Sequence, residues 1–323
     1  MTPTPKSTMK ELTVANGDTM PALGLGTWKS APGEVGRAIE EAIDLGYRHF
    51  DCAWIYQNEA EIGRAFQRVF ARGDVTREEL WITSKLWCNR HRDGEVAPAL
   101  EGTLRDLACE YLDLYLVHWP VALAHDVVGP ANGGDFLPLS EVPLRETWGA
   151  MERCAELGLT RHVGVSNYSV KHLSAHLDAD IVPEVNQVEM HPYLQQPELV
   201  RFCREHGIHL TAYSPLGSSD RPETMKAADE PVLLADPAIA AIAREAGVTP
   251  AQALLAWAVQ RGTSVIPKSV DPGRLAENLA AAELELDASA MDAIAALDRA
   301  RRYVDGTFWE QPGSGYTVAE LWG

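Results

Sequence analysis

The sequence predicts an α/β chain closed into a (β/α)8 TIM barrel, with an N-terminal β-hairpin and a long C-terminal loop. Short apolar runs alternate eight times with stretches of helical period, the signature of βαβ units on a parallel sheet. A length of 323 residues suits one such barrel with insertions. The structural alternative is an open, doubly wound sheet, but no Gly-x-Gly-x-x-Gly follows any strand run, so its dinucleotide fingerprint is missing.

The elements follow in order. Residues 1–9 are rich in Thr, Pro and Ser and are expected to fray. Residues 11–23 alternate around Asn16-Gly17, a type I′ hairpin signal. Strand runs follow at 23–28, 49–53, 80–87, 111–120, 161–167, 183–192, 208–215 and 263–269. Helical stretches fall between and after them at 34–46, 59–71, 94–108, 144–158, 169–177, 197–207, 237–247, 250–262 and 272–283. Residues 119–143 carry too much Gly and Pro for regular structure, and 300–323 form an aromatic-bearing tail. Long loops of this kind in a compact domain are usually functional or disordered, and both are expected to wall a substrate pocket.

Composition narrows the function. With 46% hydrophobic residues the whole chain, 1–323, can be a single domain with its own core. Five scattered cysteines without a Cys-x-x-Cys pair suggest neither a disulfide framework nor a zinc knuckle, so no metal is expected and a cytoplasmic location fits. No signal peptide and no apolar run of spanning length is evident. A net charge of −18 repels nucleic acid and anionic membranes. The acidic balance fits a salt-rich host or ordinary solubility equally.

Four residues carry the chemistry. In parallel barrels active sites lie at the C-terminal strand ends. Asp51 ends the second strand run, Tyr56 follows in its loop, Lys85 lies near the end of the third, and His118 ends the fourth. A lysine inside an apolar strand needs a carboxylate partner, and Asp51 is the neighbouring one. An ammonium beside a phenol should lower the phenol's ordinary pKa of about 10 towards the range of an efficient general acid. His118 can donate to the same carbonyl oxygen, where reduction creates negative charge. A small-molecule carbonyl compound is therefore the expected partner.

Eight motifs are shared with one family: GLGTWKS (24–30), GYRHFDCAWIYQNEAEIG (46–63), SKLW (84–87), DLYLVHWP (113–120), GVSN (164–167), NQVEMHPY (186–193), TAYSPLGS (211–218) and IPKSVDPGRLAEN (266–278). From about residue 10 to residue 298 the chain resembles the aldo-keto reductases, most of all their aldose/aldehyde reductase branch. The resemblance implies NADPH or NADP+ extended across the strand ends, Tyr56 as proton donor tuned by Lys85 and Asp51, His118 as substrate orienter, and a monomer. It places Tyr213 on the nicotinamide and Ser166, Asn167 and Gln187 on its carboxamide. Ser214, Pro215, Leu216, Gly217 and Ser218 would cover the pyrophosphate. Thr27, Trp28 and Lys29 would flank the site, with Lys29 and Asp220 either closing a belt or forming a surface ion pair.

Lys268, Ser269, Val270 and Arg274 would hold the 2′-phosphate, and Glu277 and Asn278 the adenine. Asp271 departs from the pattern, because many members carry a small hydroxyl residue there. A carboxylate repels phosphate and accepts a ribose hydroxyl, so NADH use is possible. Trp28, Trp54, Trp87, Trp119 and Trp309, with Tyr56 and His118, are the expected substrate pocket. The expected activity is NADPH-dependent reduction of aldehydes, and by extension of open-chain aldoses or ketones. The rivals are an NADH-using or dual-cofactor sugar/polyol oxidoreductase and a barrel that binds NADPH without catalysis.

Overall fold

The computed structural model describes residues 10–14, 17–227 and 230–323. A hairpin of β1 (Glu11–Thr13) and β2 (Thr19–Pro21) comes first. Barrel strands follow as β3 (Leu25–Gly26), β4 (His49–Asp51), β5 (Trp81–Leu86) and β6 (Leu112–Val117). A short antiparallel pair, β7 (Ala122–Leu123) and β8 (Phe136–Leu137), interrupts them. The barrel resumes with β9 (Thr160–Ser166), β10 (Val185–Glu189), β11 (His209–Tyr213) and β12 (Ser264–Val265).

The eight barrel strands are parallel and pair in chain order. Parallel bridges Leu23–Val265 and Gly26–Lys268 join the first strand to the last and close the wall. Gly26 is required at this seam, since a Cβ there would stand 2.6 Å from the Ile266 carbonyl oxygen.

The outer layer comprises α1 (Glu34–Leu45), α2 (Glu59–Arg72), α3 (Asp93–Leu107), α4 (Leu144–Glu156), α5 (Val170–Ser174), α6 (Pro197–Glu205), α7 (Pro237–Ala246), α8 (Pro250–Gln260) and α9 (Pro272–Ala280). Three starts follow one chemistry: Asp236, Thr249 and Asp271 each accept a first-turn N–H through the side chain, and proline occupies the next position. Val14 and Met20 of the hairpin pack with Trp81, Leu114, Leu116 and Val185, plugging the end of the barrel where β5 and β10 begin.

The type I′ turn expected at Asn16-Gly17 falls partly outside the described residues; at its edges Val14 N–H donates to Asp18 O at 2.9 Å, and Gly17 stands at φ 82°, a conformation glycine adopts without strain. Three sequence expectations need correction. The 119–143 segment does contain regular structure, the β7–β8 pair. The helix expected over 169–177 is a single turn and a half, α5. Beyond the eighth unit come α10 (Ala288–Ala295) and α11 (Val318–Trp322), capped by Asp287 and Thr317.

Candidate active site

The barrel register brings the four chemical residues together. Asp51 is the last residue of β4, and Tyr56 ends a 3-10 turn, Trp54–Tyr56, directly after it. Lys85 faces inward from β5, and His118 follows β6. Lys85 Nζ lies 2.7 Å from Asp51 Oδ2, 2.9 Å from the Cys52 carbonyl oxygen and 3.4 Å from Tyr56 Oη. Gln187 Nε2 donates to the other Asp51 oxygen at 2.7 Å. The Tyr56 and His118 rings meet edge to face, 6.0 Å between centroids.

Electrostatics corrects one expectation. Burial pushes the Tyr56 phenol up to about 12, and the Lys85 ammonium only limits that rise. Burial opposes the charge of Lys85, but Asp51 and Tyr56 outweigh it and raise the ammonium's pKa. Burial, then Lys85 and His91, hold His118 well below the usual imidazole range, so it is neutral. The lysine thus keeps the phenol from becoming still weaker. It does not make it more acidic than free tyrosine.

A second network ties the strand ends. Ser166 Oγ donates to the Gln187 carbonyl at 2.8 Å, and Asn167 Nδ2 donates to His118 O at 3.0 Å and to Ser166 Oγ at 3.2 Å. Tyr213 Oη donates to Asn167 Oδ1 at 2.8 Å. Both Asn167 amide protons are therefore spent within the protein. Asp51 accepts only, so the Gln187 amide must turn its nitrogen to it. Asn167 Oδ1 and Gln187 Oε1 keep acceptor capacity for a ligand's amide NH₂, and the second Gln187 amide proton remains as a donor for its carbonyl.

One cavity of about 660 Å³ gathers these groups, within the range of small-molecule and cofactor sites. Asp51, Tyr56, His118, Trp28, Trp87, Trp119, Thr27, Lys29, Ser166, Asn167, Gln187 and Tyr213 line it. So do Ser214, Pro215, Leu216, Ser218, Asp220, Lys268, Ser269, Val270, Arg274, Glu277 and Asn278. Of the eight non-glycine residues with positive φ among the described residues, four (Lys29, Asn167, Ser214, Ser218) lie on this one wall. Backbone strain concentrated like this marks functional sites. Lys29 Nζ lies 2.8 Å from Asp220 Oδ1 and 3.3 Å from Ser218 Oγ, an ion pair at the cavity lining.

Some expected residues stand elsewhere. Trp54 and Lys85 border a separate cavity of about 440 Å³ between β5 and α3, and Lys85 reaches the main one only through Asp51 and Tyr56. Trp309 is buried behind the rim against Trp87 and Trp119, because its ring fills the space the tail must cross. Gly217 turns the chain at φ 85° beside Leu233 and Tyr303. Asp271 is not on the wall; its Oδ1 accepts the Arg274 N–H at 2.9 Å as the cap of α9. The sequence reading missed Ile55, Met225, Val304 and Phe308, all lining residues. The last two come from a tail whose path no local pattern fixes.

Comparison with known proteins decides the family. The aldo/keto reductase family model matches residues 22–299. The chain belongs to the aldo/keto reductase family. It is 57% identical over 317 residues to an aldo/keto reductase of Synechocystis sp., covering 98% of this chain and 97% of that protein. It is 44% identical over 300 residues to aldo-keto reductase family 1 member A1 of Rattus norvegicus, covering 92% of each. For the Homo sapiens protein of the same name identity is 45% over 291 residues, covering 89% of each.

As an aldo/keto reductase the chain is an oxidoreductase that works with a nicotinamide cofactor, and the donor set fits one. The same cavity lining carries acceptors for an amide, on Asn167 and Gln187, and the cations of Lys29, Lys268 and Arg274. No helix among the described residues is long and apolar enough to cross a membrane.

Proposed function

We propose that this aldo/keto reductase reduces aldehydes to alcohols with NADPH. The observation that carries this reading is Tyr56 Oη, on the wall of the cavity beside neutral His118 and 3.4 Å from the buried Lys85 ammonium. When bound, the cofactor supplies a hydride to the carbonyl carbon. Tyr56 gives its proton to the carbonyl oxygen, and the phenolate left behind is stabilised by Lys85 and, through it, by Asp51. His118 offers the same oxygen an uncharged donor. Gln187 and Asn167 present acceptor oxygens to the carboxamide and fix which face of the nicotinamide looks at the substrate. Tyr213 supplies its ring to the nicotinamide, and residues 214–218 with the Lys29–Asp220 belt cover the pyrophosphate. Lys268 and Arg274 take the 2′-phosphate, with Glu277 and Asn278 at the adenine.

Trp28, Trp87, Trp119, Val304 and Phe308 leave the substrate end of the cavity apolar beyond Tyr56 and His118, favouring aliphatic and aromatic aldehydes over open-chain aldoses. NADH is accepted as a poorer cofactor, because the Asp271 carboxylate lies 3.9 Å from Arg274 Nε and competes with a phosphate for it. All five cysteines are free and four are buried, which supports a reducing cytoplasm. We take the working unit to be a monomer.

The test is an absorbance assay of nicotinamide oxidation with aromatic aldehydes, aliphatic aldehydes and aldoses, each with NADPH and NADH. Faster turnover of simple aldehydes with NADPH supports the reading. A preference for sugars with NADH would replace it by the polyol oxidoreductase. Tight NADPH binding without turnover of any carbonyl compound would make the chain a non-catalytic barrel.

A further inference from the structure

Glu189 closes β10 with a side chain that is 0% exposed, yet it does not line the catalytic cavity. Its two oxygens are divided between two consecutive amides of the C-terminal segment. Oε1 accepts the Tyr303 N–H at 2.7 Å, and Oε2 accepts the Val304 N–H at 2.7 Å. Oε1 also accepts His191 Nε2–H at 2.8 Å. Burial opposes the carboxylate's charge, but His191 and the two amides outweigh it and hold the group below its ordinary range. The neighbouring loop adds grip, since Tyr193 O accepts the N–H groups of Arg299 and Arg301 at 3.2 and 2.8 Å.

The segment fastened here leads straight to the substrate wall. Val304 lines the cavity, the chain turns at Gly306 with φ 82°, and Phe308 follows on the rim against Trp119. Beyond them Asp305 O accepts the Trp322 Nε1–H at 2.6 Å, the buried Trp309 ring packs on Trp87 and Trp119, and Tyr316 Oη is bound to Ala122 N–H and Leu137 O of the β7–β8 pair. On the side of the barrel strands, the backbone entering this wall is held by one buried carboxylate, Glu189. We propose that Glu189 is the positioning residue for this wall and sets the enzyme's preference for bulky over small carbonyl substrates. The inference rests on the aldehyde-reductase reading above. A bulky apolar aldehyde extends past Tyr56 and His118 to touch Val304 and Phe308; a two- or three-carbon aldehyde does not.

The experiment is Glu189→Gln. An amide has one acceptor oxygen, so its NH₂ must face one of the two backbone N–H donors, and that bond is lost. We expect KM for a bulky aromatic aldehyde to rise at least tenfold. KM for propanal and the NADPH dissociation constant should stay within twofold, and kcat within threefold. Hydrogen exchange at the Tyr303 and Val304 amides should quicken at least tenfold while barrel-strand amides keep wild-type protection. Should Glu189→Gln fail to fold, Glu189→Asp keeps both acceptors but draws them back by one methylene and reads the same KM ratio. An unchanged bulky-to-small KM ratio, a parallel loss of NADPH binding, or failure of both variants to fold overturns the proposal. If the wild type reduces no aldehyde, the functional reading fails, and the exchange measurement still decides whether Glu189 pins the tail.

Discussion

Lys85 Nζ stands 2.7 Å from Asp51 Oδ2 but 3.4 Å from Tyr56 Oη, so the ammonium answers to the carboxylate first and to the phenol second. This ordering explains why burial wins at Tyr56 and pushes its pKa up to about 12 despite an adjacent cation. The phenol keeps its proton throughout the neutral range, the form that the proposed reduction would consume.

The pH profile of aldehyde reduction follows from that. Tyr56, raised to about 12, stays protonated well past pH 9, and His118, held well below its usual range, stays neutral through pH 6. The expected kcat/KM for reduction is flat between pH 6 and 9. A falling limb centred between 7 and 9 would show that Lys85 lowers the phenol more than burial raises it. Tyr56→Phe should cut turnover by about 10²–10⁴-fold, the contribution of a positioned general acid, while NADPH still quenches tryptophan fluorescence with a wild-type dissociation constant.

Removing the cation separates chemistry from folding. Lys85→Met leaves Asp51, which is 2% exposed, with the Gln187 amide as its remaining side-chain donor. Breaking a buried pair from one side costs about 3–5 kcal/mol, readable as a lower midpoint in urea. Asp51→Asn combined with Lys85→Met removes both charges and should recover most of that stability. Activity should stay absent in the double variant, because nothing then stabilises the phenolate. If stability is not recovered, Lys85 serves the fold through its bond to Cys52 O rather than through charge balance.

The barrel and the meeting of Asp51, Tyr56, Lys85 and His118 at one site were legible because their signals are local. Strand runs of period-independent apolar residues, Asp-Pro and Thr-Pro helix starts, and a lysine inside LWITSKLW can each be read within a few residues. The opposing pulls on Tyr56 were not legible, since burial is a property of the closed barrel and no sequence window contains it. The rim supplied by the tail was hidden for a related reason. Val304 and Phe308 reach the cavity on a segment whose backbone at Tyr303 and Val304 is held by Glu189, more than a hundred positions earlier in the chain. By contrast α11, which the expectation of a tail over 300–323 passes over, has a local signal: Thr317 and Glu320 form the cap pattern Thr-x-x-Glu, and Glu320 N–H does donate to Thr317 Oγ1 at 3.2 Å.

Asp271 offers a cofactor test with two separable effects. Its Oδ1 caps α9 and its charge competes for Arg274. Asp271→Ser keeps a capping oxygen and removes the charge. The NADPH dissociation constant should fall about two- to fivefold at low salt, the scale of an exposed charge contact of about 0.3–1 kcal/mol near a helix N-terminus. The NADH constant should hardly change, and the gain should shrink in added salt. Asp271→Ala loses the cap as well and should cost about 1 kcal/mol of stability. Equal improvement for both cofactors would remove the 2′-phosphate from this end of the cavity.

The plug at the barrel floor carries its own pH dependence. His162 lies between Asp18 of the hairpin, at 3.0 Å from Nε2, and Glu184, at 3.1 Å from Nδ1, with its ring stacked on Trp81. Burial lowers its pKa, but the two carboxylates outweigh burial and raise it above the ordinary imidazole value. A raised folded-state pKa means that the protonated ring favours the native state. That stabilisation is complete below about pH 6.5, the value of an unperturbed histidine, and is lost as pH rises through the raised folded value. In His162→Gln the side chain keeps a donor but no titrating charge. The difference in thermal midpoint between wild type and variant should therefore be largest near pH 6 and shrink steadily towards pH 9. A difference that is constant with pH would mean that His162 holds the hairpin by stacking on Trp81 alone.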